Sequence, residues 1–268
     1  MRRLTLTGTK LPDGSTRRIT KEVLRAALLT LSGKGEVPLI KTQLAGVDAS
    51  HLDRASPDDI VILSFSGHGW ANPQGDFFLV PTEGKWANDA ALPDLDTLIS
   101  SANLTTWLRG VDASEIAVVI DACHSGASVD SATFKPGPMG DAGLGQLAYD
   151  KGMRILAATQ AADLAMEDAS LHQGLLTYAL ASEGLDPVTP RADLNGDGRI
   201  SLDEWLRYAT QRLPQLSGDL RIGRFSAGAS RGFNRISTTP APPPKIQEPL
   251  LFDFTDMPSP VVLRQIRP

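Results

Sequence analysis

One short run of apolar residues constrains the fold more than any other part of the sequence. Residues 116–120 read Ile-Ala-Val-Val-Ile, and such a mostly β-branched run predicts a strand that is buried on both faces. The run leads into Asp121, Ala122 and Cys123, and reacting groups in open α/β sheets gather just beyond the carboxyl ends of strands. Cys123 is the only cysteine of the chain, and its position makes it a candidate nucleophile.

Strands and helices are predicted to alternate along residues 1–236, which indicates one α/β domain with a mostly parallel central sheet flanked by helices on both faces. Residues 126–150 are rich in glycine and proline and predict a long flexible loop. Residues 237–268 predict a proline-rich C-terminal segment, in which 250–254 would form a docking strand. The other predicted strands are 4–7, 59–65, 77–80 and 153–158, and the predicted helices follow Thr20 and cover 98–108, 175–185 and 201–213.

The composition narrows the range of partners and compartments. A net charge of -5 without a block of Lys and Arg argues against nucleic-acid binding. No apolar run approaches the ~18 residues that cross a bilayer, so no membrane association is expected. The N-terminus lacks the apolar core of a signal peptide, and a single cysteine suits a reducing compartment. These features predict a cytoplasmic protein.

A cysteine that cleaves peptide bonds needs a nearby imidazole, because a free thiol is mostly protonated at neutral pH. His68 stands in a matching place, because it follows the predicted strand 59–65 within a glycine-flanked turn at residues 66–69. Either motif alone is explained as well by a strand-ending turn or by a small buried residue. Two strands that each end in one half of a Cys/His pair favour a catalytic site.

The two motifs together resemble the catalytic signatures of the caspase-like cysteine peptidases, most of all those of metacaspases and bacterial caspase-like proteins. They read Phe-Ser-Gly-His-Gly at 65–69 and Asp-Ala-Cys-His-Ser-Gly at 121–126. The histidine of caspases lies ~50 residues before the cysteine, and here the interval is 55. The resemblance implies the caspase fold and a Cys/His dyad in which Cys123 attacks the scissile carbonyl and His68 protonates the leaving amine. It also implies an oxyanion site made by the backbone N–H groups of Gly69 and Cys123.

The residue two positions before the cysteine bears on specificity. Caspases have Gln there, whereas this chain has Asp121. The resemblance to metacaspases implies that Asp121 and Ser66 line an acidic pocket for an Arg or Lys of the polypeptide substrate. Charge complementarity agrees with this assignment. The alternative is that Asp121 caps the end of the strand or accepts N–H bonds from a loop.

Residues 193–204 satisfy the EF-hand calcium pattern at every ligand position. Asp193, Asn195, Asp197 and Glu204 would supply side-chain ligands, together with the backbone carbonyl of Arg199, and Gly198 would make the turn. The competing interpretation is structural, with Ser201 and Glu204 forming a capping box for the next helix. Calcium is therefore a possible ligand, and the peptidase chemistry itself requires no cofactor.

Two further expectations follow from the resemblance, and one alternative function stands beside them. Caspase-like domains begin with a strand and helix that this sequence lacks, so an upstream repeat domain or a second chain would complete the sheet. Autoprocessing would take place after Lys151 or Arg154, near the predicted flexible loop, but flexibility alone explains the composition of that loop equally well. The alternative to a peptidase is a catalytically silent caspase-like scaffold or a calcium-responsive interaction module.

Overall fold

The computed structural model describes much of the chain as alternating strands and helices. The described residues are 4, 6, 9–10, 16–17, 19–35, 49–50, 52–72, 76–86, 92–124, 142–158, 174–221, 246–255 and 258–266. The strands are β1 (Thr9–Lys10), β2 (Thr16–Arg17), β3 (Ile60–Ala71), β4 (Phe77–Val80), β5 (Ile99–Ser100), β6 (Glu115–His124), β7 (Arg154–Ala157), β8 (Arg199–Ser201), β9 (Leu250–Asp253) and β10 (Val262–Gln265). The helices are α1 (Lys21–Leu31), α2 (Ser101–Leu108), α3 (Ala142–Asp150), α4 (Leu175–Thr177, continued by a π-helix over Tyr178–Gly184) and α5 (Leu202–Arg221).

The central sheet has the spatial strand order β5-β4-β3-β6-β7-β9 in the described part of the chain. It is mostly parallel, with β4 antiparallel to both β3 and β5. Residues 116–120 lie in the middle of β6 and are each at most 2% exposed, so the prediction of a strand buried on both faces is confirmed. Before Ile60, the described residues contribute no strand to this sheet.

The chain divides into two compact units. The first comprises Met1–Leu63, Gly67–Val118 and His124–Arg154, and the second comprises Ser64–Ser66, Val119–Cys123 and Ile155–Pro268. In the first unit, α2 contacts both α1 and α3. In the second unit, α5 packs against α4 and the π-helix that follows it. None of the described helices is long and apolar enough to cross a membrane.

Helix starts follow local capping chemistry. The Thr20 side chain accepts a hydrogen bond from Val23 N and caps α1, as the sequence predicts. Ser100 and Asn103 form a reciprocal capping box at the start of α2. Local hydrogen bonds of this kind supply partners for backbone N–H groups that the first turn of a helix leaves unpaired.

Two predicted segments differ from the structure. The prediction of a loop over 126–150 is wrong for its last part, because Ala142–Asp150 is helix α3, and 125–141 lie outside the described residues. The helix forms because Leu144, Leu147 and Ala148 are buried, although glycines dilute this apolar pattern in the sequence. The strand predicted at 4–7 is also wrong at the described residues Leu4 and Leu6, and β1 instead pairs with β2.

Two strands of the C-terminal segment join sheets with earlier strands of the chain. Strand β9 joins the central sheet beside β7, and it covers most of the segment 250–254 in which a docking strand is predicted. Gln247 N donates to Ser217 Oγ of α5 at 3.0 Å, just before β9 begins. Strand β10 pairs antiparallel with β8 and was not predicted, because the prolines around it obscure its short apolar pattern.

Candidate active site

His68 lies within strand β3 and not in a turn beyond it. The turn predicted at 66–69 is wrong because β4 pairs with this stretch, His68 opposite Val80 and Gly69 opposite Leu79, so the extended backbone continues to Ala71. The His68 side chain is exposed, whereas Gly69 is buried. The imidazole is therefore accessible from solvent on a well-paired strand.

A small apolar cluster in the first unit supports the His68 segment. The rings of Trp70 and Phe78 lie 5.4 Å apart at a tilt of 50°, and Leu98 packs with them. Trp70 is 4% exposed and Leu98 is fully buried, with Val80 packed against the cluster. Because these residues flank the pairing of His68 with Val80, the cluster fixes the backbone that carries the imidazole.

Cys123 and Ser66 lie on neighbouring strands of the central sheet. The backbone of Cys123 belongs to β6, which is adjacent to β3 in the strand order, while its side chain lies outside the described part of the structure. Ser66 is exposed on β3. The chain order and the sheet order thus put the two sequence motifs on adjacent strands.

Asp121 has a clearly defined partner. Asp121 is only 8% exposed. Its Oδ2 accepts hydrogen bonds from Thr177 N at 2.9 Å and from Thr177 Oγ1 at 2.5 Å. Thr177 is the third residue of α4, and the N-cap residue, Gly174, makes no side-chain capping bond. Asp121 therefore caps this helix from a different element. The alternative interpretation of Asp121 expects N–H bonds from a loop, whereas the Thr177 N–H group lies in the first turn of a helix.

Gly174 makes this contact possible. A β-carbon at residue 174 would lie 2.8 Å from Asp121 Oδ1 and Cγ, and nearer still to Oδ2. Any side chain there would displace either the carboxylate or the start of α4. Sequence reasoning missed Gly174 and Thr177, because the only trace they leave is the short Gly-Leu-Leu-Thr run at the start of a helix.

The loop at 193–204 has the turn that the calcium pattern predicts. Gly198 has φ +80, in the left-handed region that favours glycine. The Asp193 carboxylate accepts hydrogen bonds from the backbone N–H groups of Gly196, Asp197 and Gly198, at 2.9 to 3.2 Å. These bonds fold the acidic stretch back on itself.

Glu204 forms the capping box that was the competing interpretation of the loop. Glu204 N donates to Ser201 Oγ at 3.2 Å, and Ser201 N donates to Glu204 Oε2 at 2.9 Å. Asn195 N also donates to Glu204 Oε1 at 3.3 Å. Within the described residues, no group of three or more His, Cys, Asp or Glu side chains is arranged to hold a metal ion.

The C-terminal strand packs against the same loop. Arg199 and Ile200 of β8 pair with Gln265 and Arg264 of β10, and Ile266 N donates to Gly198 O at 2.7 Å. The Arg264 guanidinium donates to the backbone carbonyls of residues 185–187. The loop is therefore held on one side by a strand from the end of the chain.

The two basic residues predicted as processing sites have structural partners. Arg154 lies in β7, is 2% exposed and forms an ion pair with Glu115 of β6. Lys151 Nζ donates to Val111 O at 2.7 Å. Because a protease needs an extended, accessible segment, cleavage after Arg154 would require β7 to leave the sheet.

Comparison with known families agrees with the fold. A search of the curated proteins found no match. The family model of the caspase domain matches residues 44–212, which is more than half of the chain and includes both His68 and Cys123. The mostly parallel sheet and its helices are those of a caspase-like fold. The chain belongs to the caspase-domain family of cysteine peptidases.

Proposed function

We propose that this protein is a cysteine endopeptidase that cleaves polypeptides after Arg or Lys, with Cys123 and His68 as its dyad. The observation that carries the proposal is that two neighbouring strands of a caspase-like sheet, β3 and β6, bear one member each of the Cys/His pair. The family match over both motifs supports the same reaction class.

The proposed reaction proceeds through an acyl-enzyme. His68 accepts the thiol proton of Cys123, and the thiolate attacks the scissile carbonyl to give a tetrahedral oxyanion, which the N–H groups of Gly69 and Cys123 would hold. His68 then gives the proton to the departing amine, and a thioester remains. Water hydrolyses the thioester and regenerates the thiol. Every proton is carried by the two side chains or by water, so the reaction needs no cofactor.

The specificity part of the proposal rests on Asp121, with Ser66 as a second pocket residue. The Asp121 carboxylate belongs to a buried residue two positions before Cys123. A carboxylate removed from bulk water attracts a guanidinium or ammonium group and repels an aspartate side chain. The hydrogen bonds from Thr177 N and Oγ1 fix the position of the carboxylate.

The compartment and the partners stay predictions. The single cysteine and the sequence composition favour the cytoplasm. Completion of the sheet by an upstream repeat domain or by a second chain is likewise a prediction. No nucleic acid or membrane partner is proposed.

Calcium binding by the 193–204 loop also stays a prediction. The twelve-residue pattern and the left-handed Gly198 support it. Ion binding would require Glu204 to exchange its hydrogen bonds with Ser201 and Asn195 for the cation. The Asp193 ligand would keep its place at the start of the loop.

A fluorogenic peptide panel tests the proposed function. Matched peptides ending in Arg, Lys, citrulline, Gln or Asp are incubated with the wild type and with Cys123→Ala, with and without calcium. The proposal expects turnover of the Arg and Lys peptides and none by Cys123→Ala. Preferential turnover of the Asp peptide would contradict the specificity, and an inactive wild type would favour the alternative of a silent scaffold.

A further inference from the structure

We propose that Thr177 is a positioning residue, which fixes the Asp121 carboxylate and, through it, the end of β6 that carries Cys123. The inference rests on the proposed function, because it gives Asp121 and Cys123 their roles. Thr177 itself would touch neither the substrate nor the reacting atoms. Its effect would pass through one carboxylate oxygen.

The geometry at Asp121 is that of a two-point attachment. Both Thr177 N and Thr177 Oγ1 donate to the same oxygen, Oδ2, at 2.9 and 2.5 Å. The residue before Asp121 is held as well, because Ala158 N donates to Ile120 O at 2.9 Å. Hydrogen bonds from separate elements therefore fix consecutive residues of β6 just before Cys123.

The helix that supplies Thr177 is itself firmly anchored. At its far end, Glu183 accepts hydrogen bonds from Arg212 Nε at 2.7 Å and from Tyr208 Oη at 3.0 Å, both of α5. Trp205 Nε1 donates to Leu180 O at 2.8 Å in the same stretch. Thr177 is thus held by the packing of α4 and its π-helical continuation against α5, and it presents a fixed pair of donors to Asp121.

The contact between Asp121 and α4 also depends on the glycine at the N-cap of this helix. The absence of a side chain at Gly174 lets the Asp121 carboxylate occupy the place that an N-cap side chain would fill. A helix capped by its own residue would not need Asp121. The Asp121 carboxylate therefore takes the place of the missing N-cap side chain, and it links the start of α4 to β6, the strand of the nucleophile.

A second threonine provides a matched control within the same unit. Thr255 N and Thr255 Oγ1 both donate to Asp253 Oδ1, at 3.0 and 2.5 Å. This pair of bonds has the same geometry but lies at an exposed position after β9. Replacing Thr255 removes the same kind of hydrogen bond without touching Asp121.

The test compares Thr177→Val, Thr177→Ser and Thr255→Val with the wild type in the full chain. One readout is the ratio of kcat/KM for an Arg peptide to that for the matched citrulline peptide, which differs mainly in charge. A second is the rate constant for alkylation by iodoacetamide, which reports on Cys123 alone because the chain has one cysteine. Melting temperatures accompany both readouts, and Thr177→Ala replaces the valine variant if that fails to fold.

We expect Thr177→Val to lower the Arg-to-citrulline ratio about tenfold, the loss that a hydrogen bond to a charged group can cause. Its alkylation rate should change at least about threefold, whereas Thr177→Ser and Thr255→Val stay within about twofold of the wild type. A valine variant with the ratio and the alkylation rate of the wild type would overturn the inference, as would equal effects in Thr255→Val. If the wild type cleaves neither peptide, the proposed function fails, and the alkylation rates alone decide on Thr177.

Discussion

Carboxylates of the second unit accept hydrogen bonds either from a distant element or from their own loop. Asp121 is buried, and it accepts hydrogen bonds from Thr177, which lies in a helix 56 residues further along the chain. In the 193–204 loop, Asp193 and Glu204 are bound mainly by backbone groups of the loop itself and Asp197 is exposed, whereas the buried Asp203 accepts a hydrogen bond from Ser259 N. A carboxylate that is satisfied by a distant element is tied to the fold, whereas locally satisfied ones are free to exchange their partners for a cation.

The largest effect is expected from removing the charge of Asp121. Asp121→Asn keeps the size of the side chain but loses the attraction for a cationic substrate, and we expect the kcat/KM for an Arg peptide to fall about 100-fold. Kinetics on the Arg and citrulline peptides measure this loss, and Asp253→Asn serves as the control because Asp253 accepts the same pair of bonds from Thr255. An unchanged preference for Arg would mean that the buried carboxylate is only a helix cap.

The loop should respond to calcium and not to substrate charge. Bound calcium should stabilise the protein by about 2.7 kcal/mol when its concentration is about 100 times the dissociation constant. Thermal unfolding with calcium and with magnesium measures this, and Glu204→Gln should lose the increase because Glu204 would be the bidentate ligand. An increase of the same size in Glu204→Gln would place the ion elsewhere.

Two glycine substitutions compare the tight contact between Gly174 and Asp121 with the open space around Gly218. Gly174→Ala should destabilise the protein by about 1–3 kcal/mol, because the new methyl group overlaps the Asp121 carboxylate. Gly218→Ala, in α5, meets nothing within 4 Å and should stabilise by about 0.5–1 kcal/mol. Urea unfolding of both variants measures the two changes in the free energy of unfolding. An unchanged stability of Gly174→Ala would show that the Asp121 carboxylate shifts aside at little cost.

The smallest effect concerns the far end of the π-helix. Burial alone would raise the pKa of Glu183, but hydrogen bonds from Arg212 and Tyr208 and the charges of Arg212 and Arg191 outweigh it, so the pKa lies below the usual 4.5. A lowered pKa stabilises the folded state above that value, and the contribution is lost as the pH falls through the folded pKa.

Urea midpoints from about pH 6 down to about pH 3 test this dependence. The difference between the wild type and Glu183→Gln should narrow as the pH falls, because protonation removes the charge that the variant already lacks. A difference that is constant with pH would show that the carboxylate charge does not contribute.

Local sequence patterns predicted the elements that depend on local information. The β-branched run of β6 and the apolar residues of β3 and β7 predict buried strands. Strands lie at all three places, and β6 and β7 are buried, whereas only Val61, Gly69 and Trp70 of β3 are. The extension of β3 through His68 was missed because it depends on pairing with β4, which no pattern in residues 66–69 records. The same reason hid Thr177, whose partner Asp121 is distant in the chain.

The central claim is that Cys123 is a nucleophile directed at cationic substrates and assisted by His68. An arginyl chloromethyl ketone and its aspartyl analogue test this claim directly, with mass analysis of the modified peptide. We predict rapid modification of Cys123 by the arginyl reagent, little by the aspartyl reagent, and loss of the rapid reaction in His68→Ala. Equal modification by both reagents, or rapid modification of His68→Ala, would contradict it.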